Sequence, residues 1–129
     1  MSTDPASIPV GLEHTFEREV LFEYTIAHHN PKLPPVLSTP AMIGMMELAA
    51  ARAIESALAP GEITVGTRIE VDHLKASTAG AKVRVWARYE GAEGRFLAFS
   101  VTAYEGEKQI GRGRVFRAIV DPSRHGQKK

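Results

Sequence analysis

Between Ala41 and Ala51 every side chain is apolar or absent except that of Glu47. The run follows "LSTP", where Thr39 offers a hydroxyl for the N-cap and Pro40 suits the first helical position. Helical character extends to about Leu58, ahead of the stop signal "APGE". Apolar residues cover nearly the whole circumference, so this helix is enclosed on most sides, unlike a surface helix with one apolar stripe. The rest of the chain must wrap it.

That remainder reads mainly as strands. Residues 13–26 ("EHTFEREVLFEYTI") suggest a strand with an irregularity, and three prolines make 27–36 a loop. After the helix come 63–77, rich in β-branched residues, and "AKVRVWARYE" (81–90), which alternates Val83, Val85, Ala87 and Tyr89 with polar or bulky neighbours. The hairpin signal "GAEG" leads into 95–105, and the short turn "GEK" leads into 109–120. The order predicts an α+β domain: an antiparallel five-stranded sheet wrapped around one long central helix. One helix cannot cover such a sheet completely, and its open edges need managing, which pairing two sheets edge to edge in a homodimer would do.

A chain of 129 residues is one domain by length, here 12–121, with a flexible arm at 1–11 and a flexible basic tail at 122–129. With 16 basic and 15 acidic residues, nothing argues for nucleic acid or a membrane surface. There is no cysteine, which removes disulfides, thiolate catalysis and zinc–thiolate sites. The start lacks a signal-peptide pattern and no apolar run is long enough to span a bilayer, so the expectation is a soluble, cytoplasmic protein.

Three segments carry a resemblance: "LSTPAMIGMMELAAARAI" (37–54), "VGTRIEVDHLKAST" (65–78) and "GRGRVFRAIV" (111–120). Thr39 is followed eight residues later by Glu47 and a further twenty-six later by His73, with "VGT" seven residues before the histidine. From Leu12 to Val120 the chain resembles hotdog-fold acyl-CoA thioesterases of the fluoroacetyl-CoA thioesterase type. The resemblance implies a hotdog fold, a homodimer or higher assembly, and hydrolysis of an acyl-CoA. It assigns catalytic roles to Thr39, Glu47 and His73, and substrate contacts to Gly66 and Arg117. It implies no metal and no retained cofactor, since CoA belongs to the substrate. The segment before the threonine, "HHNPKLPPVL" (28–37), departs from the family's phenylalanine-bearing lid. A general short-chain acyl-CoA is therefore the expected substrate class.

The residues themselves leave alternatives open. A carboxylate buried without a partner costs several kcal/mol or is driven neutral, so Glu47 needs a reason. Arg52 lies ~140° around the helix from it and is no partner. His73 has an unperturbed pKa suited to proton transfer at neutral pH. Capping alone would explain Thr39, and an unbroken helix would set it ~12 Å from Glu47 along the axis. Substrate or a second subunit would then have to bridge them, with backbone N–H groups at the helix start as an oxyanion site. His28 and His29 lack the further ligands a metal needs and read as loop residues or a lid. Met42, Met45 and Met46 read as core or dimer filling. Arg112, Arg114 and Arg117 could meet CoA phosphates or simply form an exposed strand face. A non-catalytic acyl-CoA-binding protein, or a hydratase or dehydratase on the same fold, stands as the alternative function.

Overall fold

The elements follow one another as β1 (Glu13–Glu19), α1 (Thr39–Ala53), β2 (Ile63–His73), β3 (Lys82–Glu93), β4 (Phe96–Glu105) and β5 (Lys108–Val120). They come from a computed structural model that describes residues 2–124. All five strands join one sheet in the order β1-β3-β4-β5-β2, and every pairing is antiparallel. The β3–β4 and β4–β5 connections are two-residue hairpins. Their first residues, Gly94 and Gly106, have φ of 65° and 61°, values that glycine adopts without strain.

The alternation in β3 does what a two-residue period requires: Val83, Val85, Ala87 and Tyr89 are all buried. Leu97, Phe99, Val101 and Ala103 continue that layer on β4, with Ile110 and Val115 on β5. Against it lie Met42, Met45, Met46, Ala49, Ala50 and Ala53 of α1. Each large side chain enclosed this way contributes roughly 1.5–3 kcal/mol. The helix sits close to β5 because Gly111 has no side chain. A Cβ there would come within 2.7 Å of Met42 Cε and 3.2 Å of Met46 Cε.

Several boundaries differ from the sequence expectation. The first strand ends at Glu19, and the chain turns through 3-10 segments at Phe22–Tyr24 and Ile26–His28. Val20, Thr25 and Ala27 point inward there, a spacing no single strand could bury. The helix cap is Ser38, not Thr39. Ser38 Oγ accepts from the Ala41 N–H at 3.1 Å, and Thr39 and Pro40 are the first two helical residues. At the other end α1 stops at Ala53 rather than near Leu58, because Ile54 leaves helical geometry and Glu55–Ala57 tighten into a 3-10 turn. Strand β2 ends at His73, where the N–H groups of Leu74 and Lys75 both turn toward the Ile110 carbonyl.

The arm expected to be loose is packed down among the described residues. Pro5–Ser7 form a 3-10 turn, and Ile8 is buried in the core. Thr3 Oγ1 donates to Glu62 Oε1 at 2.7 Å and accepts from the Ala59 N–H at 2.9 Å. The Thr3 hydroxyl holds the Glu62 carboxyl below its usual pKa. Of the basic tail, Pro122–Arg124 form a 3-10 turn and residues 125–129 lie outside the described residues.

The two sheet edges are unlike each other. Strand β1 is short, and Glu13, Glu17 and Glu19 are exposed along it, charges that discourage further pairing. Strand β2 runs eleven residues, with Ile63, Val65 and Ile69 exposed to 48%, 41% and 40%. Among the described residues no helix is long and apolar enough to cross a membrane.

Candidate active site

Glu47 projects from the middle of α1 toward the β2–β5 end of the sheet. Its Oε1 accepts a hydrogen bond from Arg117 Nη1 at 2.8 Å, and both side chains are largely enclosed, at 23% and 10% exposure. Arg117 in turn is held by Thr64 of β2. Its Nε donates to Thr64 Oγ1 at 2.8 Å, and its Nη2 donates to the Thr64 carbonyl at 2.8 Å. The buried carboxylate that looked unexplained in sequence thus has its cation on the last strand. Arg52 is directed elsewhere, with its guanidinium 5.9 Å from the Phe16 ring centre.

Gly66 explains itself by proximity. It pairs with Arg117 in the β2–β5 register, next to a bulge between Gly66 and Arg68. A Cβ at Gly66 would overlap Glu47 Oε2, so glycine is what lets the carboxylate lie against β2. Arg117 holds one oxygen of Glu47, and the backbone of Gly66 borders the other.

Thr39 and His73 form a second pair. The Thr39 hydroxyl lies 2.8 Å from His73 Nδ1. Because Ser38 does the capping, the Thr39 side chain is free to make this contact. Burial pushes the His73 imidazole below its usual 6.5, with the Lys75 backbone offsetting part of the effect. His73 Nε2 is shut off from solvent and closes no hydrogen bond among the described residues. A cavity of about 230 Å³ opens beside the ring, lined by Val36, Leu37, His73, Leu74, Lys75 and Ala76.

The structure therefore brings the five candidate residues together as two groups, not one. Thr39 does not touch Glu47, since α1 is unbroken between them and the ~12 Å axial spacing stands. The helix start is also less open than expected. Pro40 has no N–H, Ala41 N donates to Ser38 Oγ, and Met42 N donates to the Ser38 carbonyl. The three arginines of β5 do not form one patch. Arg114 is exposed and paired with Glu93 at 3.2 Å, whereas Arg117 faces the helix. The rings of His28 and His29 meet at 5.2 Å, and Phe22 packs edge-on to His28 at 6.0 Å. An aromatic from outside 28–37 thus flanks that loop. No group of three or more His, Cys, Asp or Glu among the described residues could hold a metal.

Sequence reasoning missed Thr64 and Ser38. Thr64 carried a signal, because it lies two residues before Gly66 and so on the same strand face. Ser38 was hidden by its neighbour, since either of two adjacent hydroxyls could cap.

Comparison with known proteins bears on what two such groups do. The fluoroacetyl-CoA-specific thioesterase family matches residues 20–123. The fluoroacetyl-CoA thioesterase of Streptantibioticus cattleyicolor is 37% identical over 117 residues, covering 86% of this chain and 84% of that protein. A solved fluoroacetyl-CoA thioesterase superposes with a TM-score of 0.83 at 35% identity, covering 92% of each chain. A thioesterase superfamily member from Thermus thermophilus gives 0.82 at 36% identity, covering 91% of this chain and 87% of that one. A hot-dog-like protein from Thermanaerovibrio acidaminovorans, 23% identical with a TM-score of 0.80, shares the fold over 94% of this chain and 96% of its own. The hotdog fold and thioester hydrolysis follow: this chain belongs to the fluoroacetyl-CoA-specific thioesterase family.

Proposed function

We propose that this thioester hydrolase cleaves a short-chain acyl-CoA to the free acid and CoA, and does so as a homodimer whose sites draw on both protomers. The observation that carries the reading is the pairing of Glu47 Oε1 alone with Arg117, while Oε2 borders Gly66. A carboxylate anchored by one oxygen and open at the other is placed to act on a water or a carbonyl carbon. Relatives support the substrate class, since a variant of the solved thioesterase is in complex with fluoroacetate and CoA. The space beside His73 suits the acyl end of such a molecule rather than its nucleotide.

The exposed apolar edge of β2 supports the dimer. Strand β2 is centred on Arg68. Antiparallel pairing of two β2 edges about a two-fold axis there sets the His73 end of one strand beside the Thr64–Gly66 end of the other. The Thr39–His73 pair of one protomer then approaches the partner's Glu47, so the axial gap within one chain no longer separates the groups.

In the step itself, Glu47 takes a proton from water as the water oxygen bonds to the thioester carbonyl carbon. The C=O electron pair moves onto oxygen. His73 is neutral near pH 7, and with its Nδ1–H donating to Thr39 Oγ1 the exposed Thr39 hydroxyl is left to donate to that oxygen. When the carbonyl re-forms, the C–S bond breaks and the thiolate takes the proton held by Glu47, giving CoA thiol and acid. No metal or retained cofactor enters, CoA being part of the substrate.

A thiol-release assay over a panel of short acyl-CoAs tests this. Release is expected for the wild type and a loss of at least ~100-fold for Glu47→Gln. Saturable binding without thiol release would mean a binding protein, and hydration of an enoyl-CoA without thiol release would mean a hydratase.

A further inference from the structure

We infer that Thr64 is a positioning residue, which aims Arg117 at one oxygen of Glu47 and so decides which carboxylate oxygen is left to react. The inference rests on the reading of Glu47 as the group that acts on the thioester.

An arginine and a carboxylate left to themselves tend to pair through two parallel hydrogen bonds, engaging both oxygens. Here the guanidinium makes one, from Nη1 to Oε1. Thr64 occupies the other side of the fork. Its hydroxyl accepts from Nε and its carbonyl accepts from Nη2, both at 2.8 Å. The guanidinium is planar and rigid, so fixing two of its nitrogens fixes the direction of the third. Thr64 and Arg117 are both buried, at 9% and 8% exposure, which keeps water from substituting for these bonds.

The strand supplies the rest of the geometry. Thr64 and Gly66 share one face of β2, and Arg117 lies opposite Gly66 in register. Thr64 therefore reaches the guanidinium from one side while Gly66 leaves room for Oε2. Valine has nearly the same shape as threonine and the same stiffness, but it offers Nε no acceptor. Without that bond the guanidinium can rotate to a two-oxygen grip on Glu47, which leaves no oxygen free.

Steady-state thiol release with a short acyl-CoA tests this on Thr64→Val, Thr64→Ser, Arg117→Met and the Thr64→Val/Arg117→Met pair, with Glu47→Gln as reference. Thr64→Val is expected to lower kcat about 10-fold with KM within about twofold, and Thr64→Ser to stay within about twofold of wild type. In the Arg117→Met background, adding Thr64→Val should change kcat no further, because the group it positions is gone. Thr64→Cys, whose sulfur is a weak acceptor, provides the same comparison if the valine variant does not fold. A wild-type kcat in the valine or cysteine variant would overturn the inference. So would a serine variant as damaged as valine, or a valine loss undiminished in the Arg117→Met background. If Glu47→Gln itself leaves thiol release intact, the role of Glu47 falls first. If Glu47→Gln is inactive while Thr64→Val is normal, only the positioning role falls.

Discussion

Arg117 reaches from β5 across to α1 and donates Nη1–H to Oε1 of Glu47 at 2.8 Å. Its side chain is 10% exposed and that of Glu47 is 23% exposed, so neither charge is well served by water alone. Replacing Arg117 by Met leaves a largely enclosed carboxylate without its cation. Removing one partner of a buried pair costs about 3–5 kcal/mol. The partial exposure of Glu47 places the expected loss nearer ~2 kcal/mol. Urea unfolding of Arg117→Met checks this, and an unchanged midpoint would show that the pair does not hold the site together.

Gly66→Ala isolates the other side of the same carboxylate. The added methyl would collide with Glu47 Oε2, and Glu47 must rotate away. Gly66 has an ordinary strand φ and lies on an edge strand, so folding should survive. The expected result is a kcat loss of up to ~100-fold, since displacement of a reacting group by about 1 Å has effects of that size. A melting temperature close to wild type together with undiminished turnover would contradict the placement of Glu47.

His73 sets a pH dependence of stability whose sign is fixed by its environment. Burial lowers its pKa in the folded protein below the ordinary 6.5 of the unfolded chain. Between those two values the unfolded state binds more protons, so stability is fully present above about pH 6.5 and falls as pH drops through the window. Urea midpoints at pH 8 and pH 5.5 should therefore differ more for the wild type than for His73→Asn. Equal differences in both proteins would remove His73 as a source of acid sensitivity.

A two-protomer site has a signature no single-chain site can give. His73→Ala and Glu47→Gln are each expected to be inactive. Mixed by denaturation and refolding, half of random dimers are heterodimers, and each carries one intact site and one doubly altered site. Recovery of about a quarter of wild-type thiol release is expected. No recovery, with mixed dimers confirmed by mass spectrometry, would place each complete site within one chain. In the same frame Val65→Glu or Ile69→Glu on the exposed β2 edge should yield monomers by analytical ultracentrifugation.

Much of the fold was legible because it is written in short-range patterns. The all-round apolar character from Ala41 to Ala51 demanded an enclosing sheet, and the alternation through Val83, Val85, Ala87 and Tyr89 supplied one of its interior strands. Local boundaries were harder to read. Ser38 and Thr39 are both competent caps, and which one serves depends on His73, which is distant in sequence but 2.8 Å away in space. The N-terminal arm looked loose since its composition is that of a loop. It is held by Glu62 and by the core around Ile8, contacts that no local pattern announces.

The candidate site divides along the same line. That Glu47 had to find a partner followed from the cost of burying a carboxylate, a matter of composition and period alone. That the partner is Arg117, aligned by Thr64 and given room by Gly66, follows from the β2–β5 register, which sets Arg117 beside residues 53 and 51 positions earlier in the chain. The separation of Thr39 from Glu47 could be computed from helical rise. Its consequence, two distinct pairs set along β2, required the sheet to be folded, because long-range pairing leaves no trace in local periodicity.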